Sequence, residues 1–182
     1  MTPNVVPVQV NYPHMLKMRD AEFPQGDEGF SGPIAGYIGG PNAANVWPPD
    51  TWEKSFKSNP KLPIWVGGFA GHLEGVQAVR TLEMLRVPAG CYVANDMETR
   101  IDRTYLEHFA QVVHGAGYKV LVYGSASSVF NNPQLNGYWV ADYAGIGPFM
   151  YDHDGVRATQ YAPGPSYDAS VIKAWILKNF WQ

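Results

Sequence analysis

Gly137-Tyr138-Trp139-Val140-Ala141-Asp142-Tyr143, Val156-Arg157-Ala158-Thr159-Gln160-Tyr161-Ala162 and Tyr167-Asp168-Ala169-Ser170-Val171 are three β-branched and aromatic runs that follow one another late in the chain. Their composition marks them as strands. The connections between them carry no crossover helix, and the last, Pro163 to Ser166, has room only for a hairpin turn, because a parallel crossover needs about a dozen residues or more. The final strand therefore runs antiparallel to its predecessor. Its first residues then lie beside the carboxyl end of that predecessor, which brings Asp168 to the rim where the parallel strands end.

Working back toward the amino terminus, the pattern changes to a repeated β-α rhythm. Lys61 to Val66, Cys91 to Ala94 and Lys119 to Tyr123 are short β-rich runs separated by helix-periodic stretches. Leu73, Val76, Val79, Leu82 and Leu85 recur at helical spacing, with Pro88 as the stop. Asp102 is placed to cap a helix with Leu106, Phe109 and Val113 inside, ending at Gly115 or Gly117. Val6 to Tyr12 and Pro33 to Gly39 read as two earlier strands, Asp50 with Glu53 as a capping box for a short helix through Phe56, and Ser125 to Phe130 as the fifth helix. Ile172, Trp175, Ile176 and Trp181 suit a last helix against the barrel wall. The fold class expected is α/β, a shortened TIM-like barrel of about five β-α units closed by three further strands. An open doubly wound sheet does not account for three closing strands without helices.

At 182 residues the chain suits one domain spanning 1–182. A net charge of -3 gives no reason to expect nucleic acid as a partner. The single cysteine, Cys91, excludes an internal disulfide or a thiolate metal site. The stretch MTPNVVPVQV lacks the basic residues and long apolar run of a signal peptide or membrane anchor, so export would need another route. Six tryptophans suit either a core or a sugar cleft, since pyranose faces stack on rings.

Active sites of such barrels lie at the carboxyl ends of the strands. The fourth run ends Asn95-Asp96-Met97-Glu98. Strand alternation puts Asp96 and Glu98 on one face, about 6–7 Å apart along the backbone. Two close carboxyls cannot both ionise freely, so one becomes an acid beside a carboxylate, the pairing that glycoside hydrolysis uses. The bland alternative is that one of them caps the next helix or pairs with Arg100 or Arg103.

Asp96-Met97-Glu98, the Tyr138 to Tyr143 run, Thr159-Gln160-Tyr161 and Tyr167-Asp168 occur in an order that resembles the muramidases of glycoside hydrolase family 25 and, more closely, the glycoside-hydrolase-like domains related to them. The resemblance covers roughly Tyr37 to Trp181. It implies a barrel of five β-α units closed by three strands, acting on peptidoglycan or a similar N-acetylated glycan without a cofactor. It implies Glu98 as general acid, Asp96 as the group that supports the substrate acetamido during attack on the anomeric carbon, and Asp168 as a residue holding the cleft. Trp139, Tyr143 and Gln160 would line it, and Asp142, Tyr37 and Asn11 are further candidates for glycan contact. Family members carry an aspartate at the end of the first strand, where this reading of the chain offers Asn11, with Asp20 or Asp27 as substitutes. That difference leaves open a non-catalytic glycan-binding module of a phage particle or cell-envelope assembly, or a purely structural barrel.

Asp152-His153-Asp154 does not make a metal site, because three consecutive side chains cannot face one ion without a tailored loop. Gly36 to Gly40 reads as a strand end with a tight turn rather than a phosphate cradle, and the serines after Tyr123 lack a nucleophile elbow.

Overall fold

The computed structural model describes residues 7–8, 14–21, 23–24, 30–98, 102–143, 145, 147–164 and 166–182. Its strands are β1 (Pro7–Val8), β2 (Met15–Ala21), β3 (Ile34–Gly39), β4 (Lys61–Val66), β5 (Tyr92–Asp96), β6 (Lys119–Ser125), β7 (Tyr138–Ala141), β8 (Met150–Tyr151), β9 (Val156–Ala162) and β10 (Asp168–Lys173). Its helices are α1 (Gly71–Met84) after β4, α2 (Arg103–Gly115) after β5 and α3 (Ala126–Val129) after β6. Eight strands close a barrel in the order β10-β2-β3-β4-β5-β6-β7-β9. Neighbours from β2 through β7 to β9 are parallel, whereas β10 runs antiparallel to both β9 and β2. β9 and β10 thus form the antiparallel pair expected, and the pairing of β10 with β2 closes the barrel.

Alternation along each strand sorts the side chains between two cores. Met18, Ile64, Ala94, Leu121, Trp139 and Ile172 face inward and pack together in the barrel. Val93, Val120, Val122 and Val140 face outward and join the cluster that holds Leu82, Leu106, Phe109 and Val113 of the covering helices.

The first barrel strand is Met15–Ala21, not Val6 to Tyr12. Within the latter stretch only Pro7–Val8 is described as a strand, and it pairs antiparallel with β8 outside the barrel. Pro7 lacks the N–H that a central strand must donate, which suits it to this two-stranded edge. The end of the chain also differs from expectation. Ala174–Asn179 is a 3-10 helix whose Ile176, with Phe180 just beyond, belongs to the inner core. It plugs the end where the parallel strands begin, and Lys61 and Trp181 exchange two backbone hydrogen bonds there, at 2.7 and 3.0 Å.

In α1 the buried residues are Gly71, Glu74, Gly75, Ala78 and Leu82, while Leu73 is 58% exposed. Small residues face α2 because the helices pack closely: a Cβ on Gly75 would stand 2.9 Å from Val112. The helix stops at Arg86 rather than at Pro88. Arg86 adopts φ 58°, its N–H bonds to Glu83 O, and the Val87 N–H bonds to Leu82 O, both at 2.9 Å. This double closure suits glycine, since a side chain in the left-handed region costs about 1 kcal/mol. Arg86→Gly is therefore expected to stabilise the protein by about 0.5–1 kcal/mol, read as a higher denaturation midpoint. An unchanged or lower midpoint would contradict this account of the helix end.

α2 follows expectation: the Asp102 side chain accepts from the Tyr105 N–H, and Gly117 (φ 86°) ends the helix. The short helix before β4 is a π-helical turn, Thr51–Ser55, and the proposed capping box is absent, as Asp50 is itself helical and pairs with Lys54 at 2.7 Å.

Candidate active site

The inward-facing positions turn polar at the carboxyl ends of the strands. Asp20 is the last acid of β2, Asp96 ends β5, Tyr123 is near the end of β6, Gln160 lies in β9 and Asp168 opens β10. Register places Asp168 directly opposite Asp20, as the antiparallel last strand requires. Gln160 joins them: its amide nitrogen donates to Asp20 Oδ2 at 3.0 Å and to Asp168 Oδ2 at 2.8 Å. The Tyr123 hydroxyl sits between Gln160 Oε1 and Glu98 Oε1, with the latter contact 2.9 Å long. Asp20, Glu98 and Asp168 are thus joined through a tyrosine and a glutamine, and Asp96 stands beside them, bonded to the Glu98 N–H.

Asp96 is 6% exposed, accepts the Glu98 backbone N–H at 3.1 Å, and is held in place by the bond from the Gly67 N–H to its own carbonyl, 2.8 Å. Burial, reinforced by the neighbouring Glu98 charge, pushes its carboxyl up to about 7. Burial and Asp168 push Asp20 well above the usual carboxylate range, against a lowering hydrogen bond from Ser170. Asp168 is raised by burial, with bonds from Gly164 and Gln160 opposing. Burial therefore favours the uncharged form of Asp96 at the floor of the rim.

These shifts have a sign. In the folded protein Asp96 holds its proton up to about 7, whereas an unfolded aspartate releases it near pH ~3.9. Between those values the folded state binds more protons, so stability is fully present at low pH and is lost as pH rises. Acidifying from about pH 7 to about pH 5 is expected to stabilise the protein by about 2 kcal/mol through Asp96 alone. Asp20 and Asp168 act in the same direction. Urea titrations across that range check it, and Asp96→Asn should flatten the dependence; stability that falls on acidification would overturn the assignment.

Asp96 and Glu98 open onto a cleft of about 190 Å³ that is also lined by Tyr37, Asn42, Ala44, Val66 and Gly67. Gly36 lies against the Trp47 ring, 2.6 Å from where a Cβ would stand, and Gly40 (φ 123°) makes the turn after β3, so this glycine-rich segment is the strand end and turn expected. Tyr143 is 49% exposed, and partial burial with Asp168 and Asp20 nearby pushes its hydroxyl up to about 12, which places it over the carboxyl group cluster.

Other candidates stand elsewhere. Trp139 is 1% exposed and lies below the rim, its ring 4.6 Å from that of Tyr123 and its N–H donating to Ser170 Oγ at 3.1 Å. Asp142 accepts from the Tyr151 hydroxyl, apart from the cluster. Asn11, Asp27 and Arg100 lie outside the described residues. Arg103 pairs with Glu107 at 2.9 Å, not with the acids of the rim. His153 stacks on Phe130 and accepts from the Gly155 N–H, so its neighbours are packing partners. Trp47, Trp52 and Trp65 are also buried, which makes them core rather than cleft.

Two residues of consequence, Tyr123 and Glu74, were not singled out from sequence, and Asp20 was offered only as a substitute for Asn11. Asp20 is the last acid of a strand whose Leu16-Lys17-Met18-Arg19 alternation was the available signal. Tyr123 hides in an apolar run. Glu74, 4% exposed, accepts from Trp65, from the Tyr105 hydroxyl at 2.6 Å and from the N–H groups of Gly68, Phe69 and Ala70. Its place on the buried face of α1, with Gly71, Gly75 and Ala78, lies off the Leu73, Val76 and Val79 period that marked the helix.

The shortened α/β barrel is the fold that the sequence resemblance implied. Solved structures share it. An uncharacterized B. stearothermophilus protein superposes with a TM-score of 0.72 at 15% identity, over 91% of this chain and 100% of that one. The catalytic domain of endolysin ply40 from bacteriophage P40 of Listeria monocytogenes gives 0.67 at 15% identity, over 92% and 97%. The modular autolysin LytC from Streptococcus pneumoniae, solved with a synthetic peptidoglycan ligand, gives 0.63 at 11% identity, over 89% of this chain and 47% of LytC. No protein-family profile matches the sequence, and no curated protein matches it. Among the described residues no helix is long and apolar enough to cross a membrane.

Proposed function

We propose that the protein is a retaining glycosidase that cleaves the N-acetylated glycan of peptidoglycan. The observation that carries this reading is the carboxyl-lined cleft, in which Asp96 is pushed up to about 7 next to Glu98. In the proposed reaction the substrate acetamido oxygen attacks the anomeric carbon as the glycosidic C–O bond breaks. Glu98 gives its proton to the leaving oxygen, and Asp96 steadies the acetamido group. Water then opens the cyclic intermediate, with Glu98 taking the proton back. Asp20 and Asp168, joined by Gln160, hold the opposite wall, and Tyr37 and Tyr143 offer ring faces to the sugar.

The sequence motive for a non-catalytic module was an asparagine ending the first strand. The first barrel strand is Met15–Ala21, with Asp20 as its last acid. The endolysin and autolysin folds noted above add support for a cell-wall glycan as the substrate class. The experiment is to incubate purified peptidoglycan with the wild type and with Glu98→Gln and to measure new reducing ends. Release by the wild type and not by the variant is expected; equal release from both, or none from the wild type, would overturn the proposal.

A further inference from the structure

The Tyr123 hydroxyl, which also neighbours the exposed Tyr143, faces two carbonyl-type acceptors but owns one proton. Gln160 Oε1 lies on one side and Glu98 Oε1, at 2.9 Å, on the other. The orientation of Gln160 is not free. Its amide nitrogen carries two hydrogens, and the two carboxyl groups of Asp20 and Asp168 take one each, at 3.0 and 2.8 Å. Turning the amide over would set its oxygen against the Asp168 carboxyl, which also accepts the Gly164 N–H, and its N–H groups against Tyr123. The amide carbonyl that meets Tyr123 can only accept.

We propose that Gln160 is a positioning residue that sets the direction of the Tyr123–Glu98 hydrogen bond: its carbonyl takes the tyrosine proton, so the tyrosine oxygen accepts, and Glu98 is the donor. Gln160 thereby helps to keep a proton on the carboxyl that stands at the open cleft. Tyr123 does not ionise to change the count, because burial, with Asp20 and Glu98 close by, pushes its hydroxyl far up. Gln160 is 1% exposed, so water does not compete for its carbonyl. The hydrogen-bond direction stands on geometry alone, whereas its use as a store for the catalytic proton rests on the function proposed above. When a leaving oxygen arrives, Glu98 exchanges one acceptor, Tyr123, for another.

The direction is testable because its two alternatives give opposite signs. The infrared C=O band of protonated Glu98 is identified as the band lost in Glu98→Gln. It is then followed at one pH where the wild type holds both acid and carboxylate. If Glu98 donates to Tyr123, Tyr123→Phe removes a bond made only by the acid, and the acid-to-carboxylate ratio should fall by about threefold to tenfold. If Tyr123 donates to Glu98, the same variant removes a bond made to the carboxylate, and the ratio should rise. Gln160→Met is the second variant. It frees the tyrosine proton to turn toward Glu98, so the band should weaken there too. A stronger or unchanged band in Tyr123→Phe, or no Glu98 acid band in the wild type at any pH, would overturn the proposal. The band is readable whether or not peptidoglycan is cleaved, which separates this outcome from that of the proposed function.

Discussion

Glu98→Gln is expected to lower peptidoglycan turnover by about 10²–10⁴-fold, the range a positioned general acid contributes. The amide keeps the volume of the carboxyl and its contact with Tyr123, so the cleft around Asp96, Tyr37 and Val66 should keep its shape. What it loses is a proton acidic enough to reach the leaving oxygen as the bond breaks. The defect should therefore fall on kcat with KM little changed, and glycan fragments should bind the variant as they bind the wild type. Kinetics on a soluble glycan substrate separate the two parameters. A variant that loses binding and turnover together would place Glu98 in substrate recognition, and one that retains turnover would remove it from the chemistry.

Glu74→Ala is expected to destabilise the fold by about 3–5 kcal/mol, measured by urea denaturation, the scale on which a buried charge with satisfied partners matters. Five donors converge on this carboxylate, three of them the backbone N–H groups of Gly68, Phe69 and Ala70 just before α1. The helix cap, Ala70, has no side chain to accept from them, so Glu74 folds back from the first turn to do so. Alanine would leave buried donors with no acceptor, each costing about 1–3 kcal/mol when water cannot replace it. The damage should reach the rim. Tyr105, bonded to Glu74, also accepts from the Asn95 amide, the residue before Asp96. A loss below about 1 kcal/mol would show that the donors find other partners on relaxation.

The closing hairpin and the central β-α units were legible because local chemistry and long-range packing agree there. Asp102 and Gly117 mark their helix in sequence and in space alike. α1 was harder: its leucine period points partly outward, since glycine and alanine make the face that α2 approaches. β2 was harder still. Lys17 and Arg19 alternate with Leu16 and Met18 and look like a surface segment, while the valine-rich Val6 to Tyr12 attracts a strand reading despite Pro7. With the first strand read too early, Asn11 was set at its end and Asp20 was offered only as a substitute. The pair Asp96 and Glu98 was visible as a strand end, but its coupling to Asp20 and Asp168 through Tyr123 and Gln160 is a product of barrel closure, and no local pattern encodes it.

That closure also orders events in time. β10 zips to β2 from the Asp168–Asp20 pair to the Lys173–Met15 pair, and Ser170 reaches Asp20 across 150 positions of chain. Such a seam must overcome the entropy of joining distant segments before any of its bonds form, so it belongs late in folding and slows it. On the ribosome, Asp20 emerges early and waits without its partners until β10 is made. The carboxyl rim therefore assembles in one late step, and a partly synthesised chain has the helices of the barrel without its mouth.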